Sequence, residues 1–78
     1  RIDLWDCTSL TSIGDNLTVV EDLDLYNCTN LTSLPSDMQV GSNIYLEVTP
    51  LANKTEEEIR EMCPGIKGII KGLVKKTR

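Results

Sequence analysis

Ile2 recurs as Leu23 and again as Ile44, and this spacing of 21 residues constrains the chain more than any other feature. Aligned on it, the first two copies share Asp3/Asp24, Leu4/Leu25, Cys7/Cys28, Thr8/Thr29, Leu10/Leu31, Thr11/Thr32, Ser12/Ser33 and Val19/Val40. Conservative pairs occupy Trp5/Tyr26, Ile13/Leu34 and Leu17/Met38. A repeat this short is a supersecondary unit that cannot bury its apolar face alone, so neighbouring copies must stack. Each copy alternates apolar residues at Ile2/Leu4, Leu23/Leu25 and Ile44/Leu46, the period-2 pattern of a short strand with one buried face. Strands stacked about 4.8 Å apart place each of these residues over its counterpart in a parallel sheet. Leu10, Ile13, Leu17 and Val19 then fill the interior from the opposite, convex side. Gly14-Asp15-Asn16 and Pro35-Ser36-Asp37 lie at matching positions and carry the residues that turn a chain back. They leave no room for a long helix, so turns with irregular or extended backbone are expected there.

The period breaks after Leu51. Thr55-Glu56-Glu57-Glu58 opens a helix, with Thr55 as N-cap, Glu58 as its capping-box partner and acids in the positive first turn. Pro64-Gly65 stops it, and Ile59, Met62 and Cys63 form one narrow apolar face suited to covering the open end of the last coil. Beyond it, Ile66, Ile69, Ile70, Leu73 and Val74 follow helical spacing, but Gly65, Gly68 and Gly72 each cost a helix about 1 kcal/mol against Ala. A short closing strand near 68–71 and a frayed basic tail are therefore expected. The organisation expected is repeats over 1–53 (coils 1–22, 23–43 and a partial 44–53), a capping helix over 54–65, and closing strand plus tail over 66–78.

In the second copy, Val20-Glu21-Asp22-Leu23-Asp24-Leu25-Tyr26-Asn27-Cys28-Thr29-Asn30-Leu31 reads L-x-x-L-x-L-x-x-C-x-x-L and resembles the leucine-rich-repeat signature over about residues 1–53. Leu31-Thr32-Ser33-Leu34-Pro35 is similar to the L-x-x-L-P segment of short bacterial-type repeats. Cys7 to Ile13 is similar to the C-x-x-L-x-x-I run of bacterial surface-type repeats. The third copy departs from both, with Thr49 in place of Cys and Leu51 two positions on instead of three. The resemblance implies an α/β solenoid: a right-handed coil with a short parallel β-sheet, an irregular convex side and one C-terminal capping helix. It also implies a bacterial or phage protein that works by protein–protein interaction, with Cys7 and Cys28 as buried ladder residues that satisfy turn backbone groups.

Charge and composition exclude several functions. Residues 1–66 carry three basic and twelve acidic residues, whereas 67–78 carry five basic residues and no acid. Phosphate binding draws on clustered Lys and Arg, so an acidic body argues against nucleic acid or membrane binding except through the tail. Histidine is absent, and the three cysteines make no C-x-x-C pair, so no zinc spacing, metal set or cofactor motif is recognisable. No nucleophile motif or phosphate loop is present, which points away from an enzyme. An odd cysteine count fits a reducing intracellular compartment, or a virion, better than a disulfide-rich secreted protein. Four Asn-x-Ser/Thr sequons, at Asn16, Asn27, Asn30 and Asn53, would fit a glycosylated protein but are read as chance in a chain rich in Asn and Thr.

The candidate binding residues follow from strand parity. With Leu4, Leu25 and Leu46 inside, Asp3/Asp24/Tyr45 and Trp5/Tyr26/Glu47 form two outward columns, with Arg1/Asp22/Asn43 beside them. Every aromatic residue then lies on one surface, as at interface centres. Cross-strand packing of Trp5 on Tyr26 explains the same pattern without a partner. Asp3 over Asp24 stacks like charges, which a cationic partner would relieve. The expected partner is another protein with a basic or mixed surface, or neighbouring chains of an assembly such as a fibre or virion.

Overall fold

In a computed structural model, residues 1–74 are described, and the chain forms a small α/β fold with parallel strands in two sheets and one helix. The strands are β1 (Ile2–Asp3), β2 (Thr18–Val19), β3 (Leu23–Asp24), β4 (Gln39–Val40), β5 (Ile44–Tyr45), β6 (Gly65–Ile66) and β7 (Ile70–Lys71). Pro50–Asn53 make a 3-10 turn and Glu56–Met62 form helix α1 between β5 and β6. One sheet runs β1-β3-β5-β7 and the other β2-β4-β6, so the chain passes from one sheet to the other and back.

The register follows the sequence repeat. Ile2 pairs with Leu23 and Leu23 with Ile44, and Thr18 pairs with Gln39. Ile44 then pairs with Ile70, and Gln39 with Gly65, which carries the stacking past the point where the period breaks. The passage from second sheet to first is constant: Thr18 to Leu23, Gln39 to Ile44 and Gly65 to Ile70 are each five residues. The opposite passage, sixteen residues from Ile2 to Thr18 and from Leu23 to Gln39, lengthens to twenty-one from Ile44 to Gly65, where α1 is inserted.

The second sheet lies where turns with irregular or extended backbone are expected, and the extended alternative is the one adopted. Residues 15–16 and 36–37 do form turns, but the backbone after them is extended and paired. Gln39 N–H donates to Leu17 O at 3.0 Å and Gly41 N–H to Val19 O at 2.7 Å. The physical reason is the Val19/Val40 column: both valines are buried, and stacking them brings two extended backbones within bonding distance. Gly41 permits that approach, since a Cβ there would collide with the Val20 carbonyl.

Between the sheets lies one core of Leu23, Leu25, Cys28, Leu31, Leu34, Met38, Val40, Ile44, Leu46 and Leu51, joined by Ile59, Cys63, Ile66 and Ile70. Helix α1 begins as its sequence requires: Glu58 N–H donates to Thr55 Oγ1 at 3.2 Å and Thr55 N–H to Glu58 Oε1 at 2.9 Å. Its apolar face rests on the second unit, where the Leu34 N–H donates to Met62 Sδ at 3.2 Å and Cys63 Sγ donates to Met38 O at 3.6 Å. Arg60 ties the helix to the following chain, donating to Ile66 O at 3.0 Å and Gly68 O at 2.8 Å. The strand expected near 68–71 runs over Ile70–Lys71, and the end of the basic tail, Lys75 to Arg78, lies outside the described residues.

Candidate functional site

The aromatic residues stack beside the β1-β3-β5-β7 sheet, Tyr45 on β5 itself and Trp5 and Tyr26 in the turns that follow β1 and β3. Trp5 is 55% exposed and Tyr26 45%, while Tyr45 is half-buried. Trp5, Asp24, Tyr26, Tyr45 and Glu47 line a shallow groove of about 390 Å³. Five of the six residues expected on this face therefore meet in one place. Asp3, the sixth, is exposed beside it and bonds to Arg1.

Asp24 departs from its expected place. It is buried rather than solvent-facing, and its carboxylate accepts from Tyr26 N–H at 3.1 Å and from Arg1 Nη2 at 3.0 Å. The stacked charges of Asp3 and Asp24 are consequently relieved within the chain. Arg1 Nε lies 2.7 Å from Asp3 Oδ1, Nη1 lies 4.0 Å from Asp22 Oδ2, and the guanidinium carbon sits 5.9 Å from the centre of the Tyr45 ring. A cationic partner is thus not needed to offset Asp3 and Asp24. Asp22, half-buried, accepts from Asn43 N–H at 2.9 Å, and this bond holds its carboxyl below the ordinary carboxylate range.

Past β1, β3 and β5 the backbone swings through the left-handed region, with φ of 59° at Asp6, 61° at Asn27 and 57° at Val48. Asp and Asn tolerate this conformation, and Asn27 Nδ2 donates to Asp6 Oδ1 at 2.7 Å. Val48, β-branched, is strained there and leaves its side chain 54% exposed. It borders a second, open groove of about 530 Å³ lined by Thr29, Thr49, Pro50, Ala52, Asn53 and Val74.

The cysteines occupy apolar positions without bonding one another. Cys28 is buried and its Sγ donates to Leu4 O at 2.9 Å, whereas Cys7 is half-buried. At the matching third position Thr49 Oγ1 donates to Leu46 O at 2.8 Å, so the hydroxyl serves a backbone carbonyl as the thiol does. Burial pushes the Cys28 and Cys63 thiols up, which keeps them protonated and poorly nucleophilic. Among the described residues no group of three or more His, Cys, Asp and Glu side chains comes together to hold a metal ion.

Two participants were not legible in the sequence as site residues. Arg1 was placed beside the columns by parity, but its reach over two strands to Tyr45 is a matter of side-chain length and geometry. Gly72, at φ 91°, gives room for the Glu47 stem, since a Cβ there would lie 2.6 Å from Glu47 Cγ. Family models, curated proteins and solved structures yield no match to this chain.

Proposed function

We propose that this chain is part of a leucine-rich-repeat solenoid, a right-handed coil of short units, and that it acts as a non-catalytic protein–protein interaction module through the outer strand face. The observation that carries this reading is the groove of Trp5, Tyr26, Tyr45 and Glu47: two large aromatic residues stay substantially exposed, one above the other in the turns after β1 and β3. Such side chains offer wide contact area at low ordering cost and dominate binding where they cluster. The 21-residue register supports the solenoid reading, as do the Cys28 and Thr49 side chains at the repeated ladder position, bonded to the leucine carbonyls just past β1 and β5. The partner recovered on the immobilised chain is to be titrated against the wild type and against the double variant Trp5→Ser, Tyr26→Ser. Binding should weaken by about 1 kcal/mol or more, roughly fivefold, with the thermal midpoint little changed. Full affinity in a folded double variant would remove the face from consideration, and an unfolded variant would place the aromatics in the core.

A structural role in an assembly is the second reading, and one observation favours it. Ile2, Leu4, Leu10, Ile13 and Leu17 of the first unit are only half-buried, and β1 and β2 are sheet edges. A further stacked unit, of the same chain or of a neighbouring one, would complete their burial. Sedimentation equilibrium separates the readings: a monomer at all concentrations favours the module, and concentration-dependent association that covers Leu4 favours assembly.

A further inference from the structure

The first unit's half-buried leucines, the strained Val48 groove and the aromatic groove each invite a ligand, but only the last shows what chemistry it accepts. We infer that Trp5, Tyr26 and Glu47 form a receptor for one arginine side chain of a partner protein, an inference that rests on the reading of this face as a binding surface. The face already holds one guanidinium. Arg1 lies 5.9 Å from the Tyr45 ring centre while Nε and Nη2 donate to Asp3 and Asp24 at 2.7 and 3.0 Å. An aromatic ring under the cation and carboxylates at its edge are thus a combination this sheet forms with its own residues.

One column over, the same ingredients recur without a cation. Trp5 and Tyr26 present exposed rings, and Glu47 lines the same groove with no ion pair among the described residues. The rings of Trp and Tyr attract cations through their quadrupoles, Trp most strongly, and a carboxylate beside them adds a directional acceptor. A guanidinium suits this arrangement better than an ammonium because it is planar, stacks on a ring and still donates two bonds from its edge. The position at Tyr45 is closed to a second cation: Arg1 covers it, and Lys71 follows Tyr45 in register on β7. An incoming arginine is therefore directed to Tyr26 and Trp5, and the acidic residues 1–66 steer it there.

N-acetylargininamide is the probe, titrated into the whole chain while the single tryptophan, Trp5, reports by fluorescence and backbone amide resonances report by NMR. A saturable response confined to Trp5, Tyr26 and Glu47 is expected, stronger than that to N-acetylglutaminamide and reduced by salt. Glu47→Gln should weaken it about fivefold with unchanged amide dispersion, whereas Glu61→Gln, on the exposed side of the helix, should not. A response no greater than that to the glutamine amide, or one indifferent to Glu47→Gln, overturns the receptor. If N-acetyltyrosinamide binds the groove and the arginine amide does not, this inference fails while the proposed function stands. Failure of the latter is read separately, from full partner affinity in the Trp5→Ser, Tyr26→Ser variant.

Discussion

The first and second units carry nearly the same apolar residues, yet in the first only Val19 is fully buried, whereas the second buries them throughout. Leu25 is 0% exposed and so is Leu31, while their counterparts Leu4 and Leu10 remain half-buried. Nothing in the residues themselves makes this difference. Among the described residues β3 is flanked by β1 on one side and β5 on the other, whereas β1 pairs only with β3. In a stacked repeat, burial is conferred by neighbours, and a unit's stability is shared with the units that flank it.

Truncation of equivalent leucines tests that comparison most severely. Leu25→Ala should destabilise the chain by about 3 kcal/mol, with Leu4→Ala costing about 1 kcal/mol, because the open site already has part of its surface in water. Equilibrium denaturation of the two variants measures both, and equal losses would break the argument that position in the stack decides burial. A smaller effect of opposite sign is expected at the left-handed position. Val48→Asn should stabilise by about 1 kcal/mol, since Asp6 and Asn27 hold the same conformation without β-branching. An unchanged or lower midpoint would mean that Val48 packs well enough to offset its strain. The third effect leaves stability alone. Native-state alkylation should modify half-buried Cys7 before Cys28 and Cys63, whose thiols burial keeps protonated. Mass spectrometry of partly labelled protein gives the order, and early labelling of Cys28 would show that the second unit opens as readily as the first.

Much of this architecture was legible because the repeat is written in side chains that pack. Leu4 over Leu25 over Leu46 sets parity and register together, and Thr55 with Glu58 marks the helix start by a bond that both residues are needed to make. The second sheet was not legible, because two residues with a single buried valine are too short for any alternation to show. Asp24 was misplaced for a different reason: parity gives the direction of a side chain and not what lies over it, and Arg1, just ahead of β1, reaches across to cover the carboxylate. Val48 could not be anticipated, since valine disfavours the very conformation that the Asp6/Asn27 column adopts. At the aromatic groove, five candidate residues came together because the 21-residue register stacks Trp5, Tyr26 and Glu47, in the turns after β1, β3 and β5, beside Asp24 and Tyr45 on the strands.

The unequal passages between the sheets say where this chain can change length. Five residues lead from the second sheet to the first in each of the three passages. The opposite link has already absorbed five more residues in the third unit and used them to make a helix, while β6 and β7 kept their pairing. The difference in length among these passages is thus confined to one side of the molecule. The outward face bearing Trp5 and Tyr26 lies on the first sheet, where substitution rather than insertion is the means of altering what is bound.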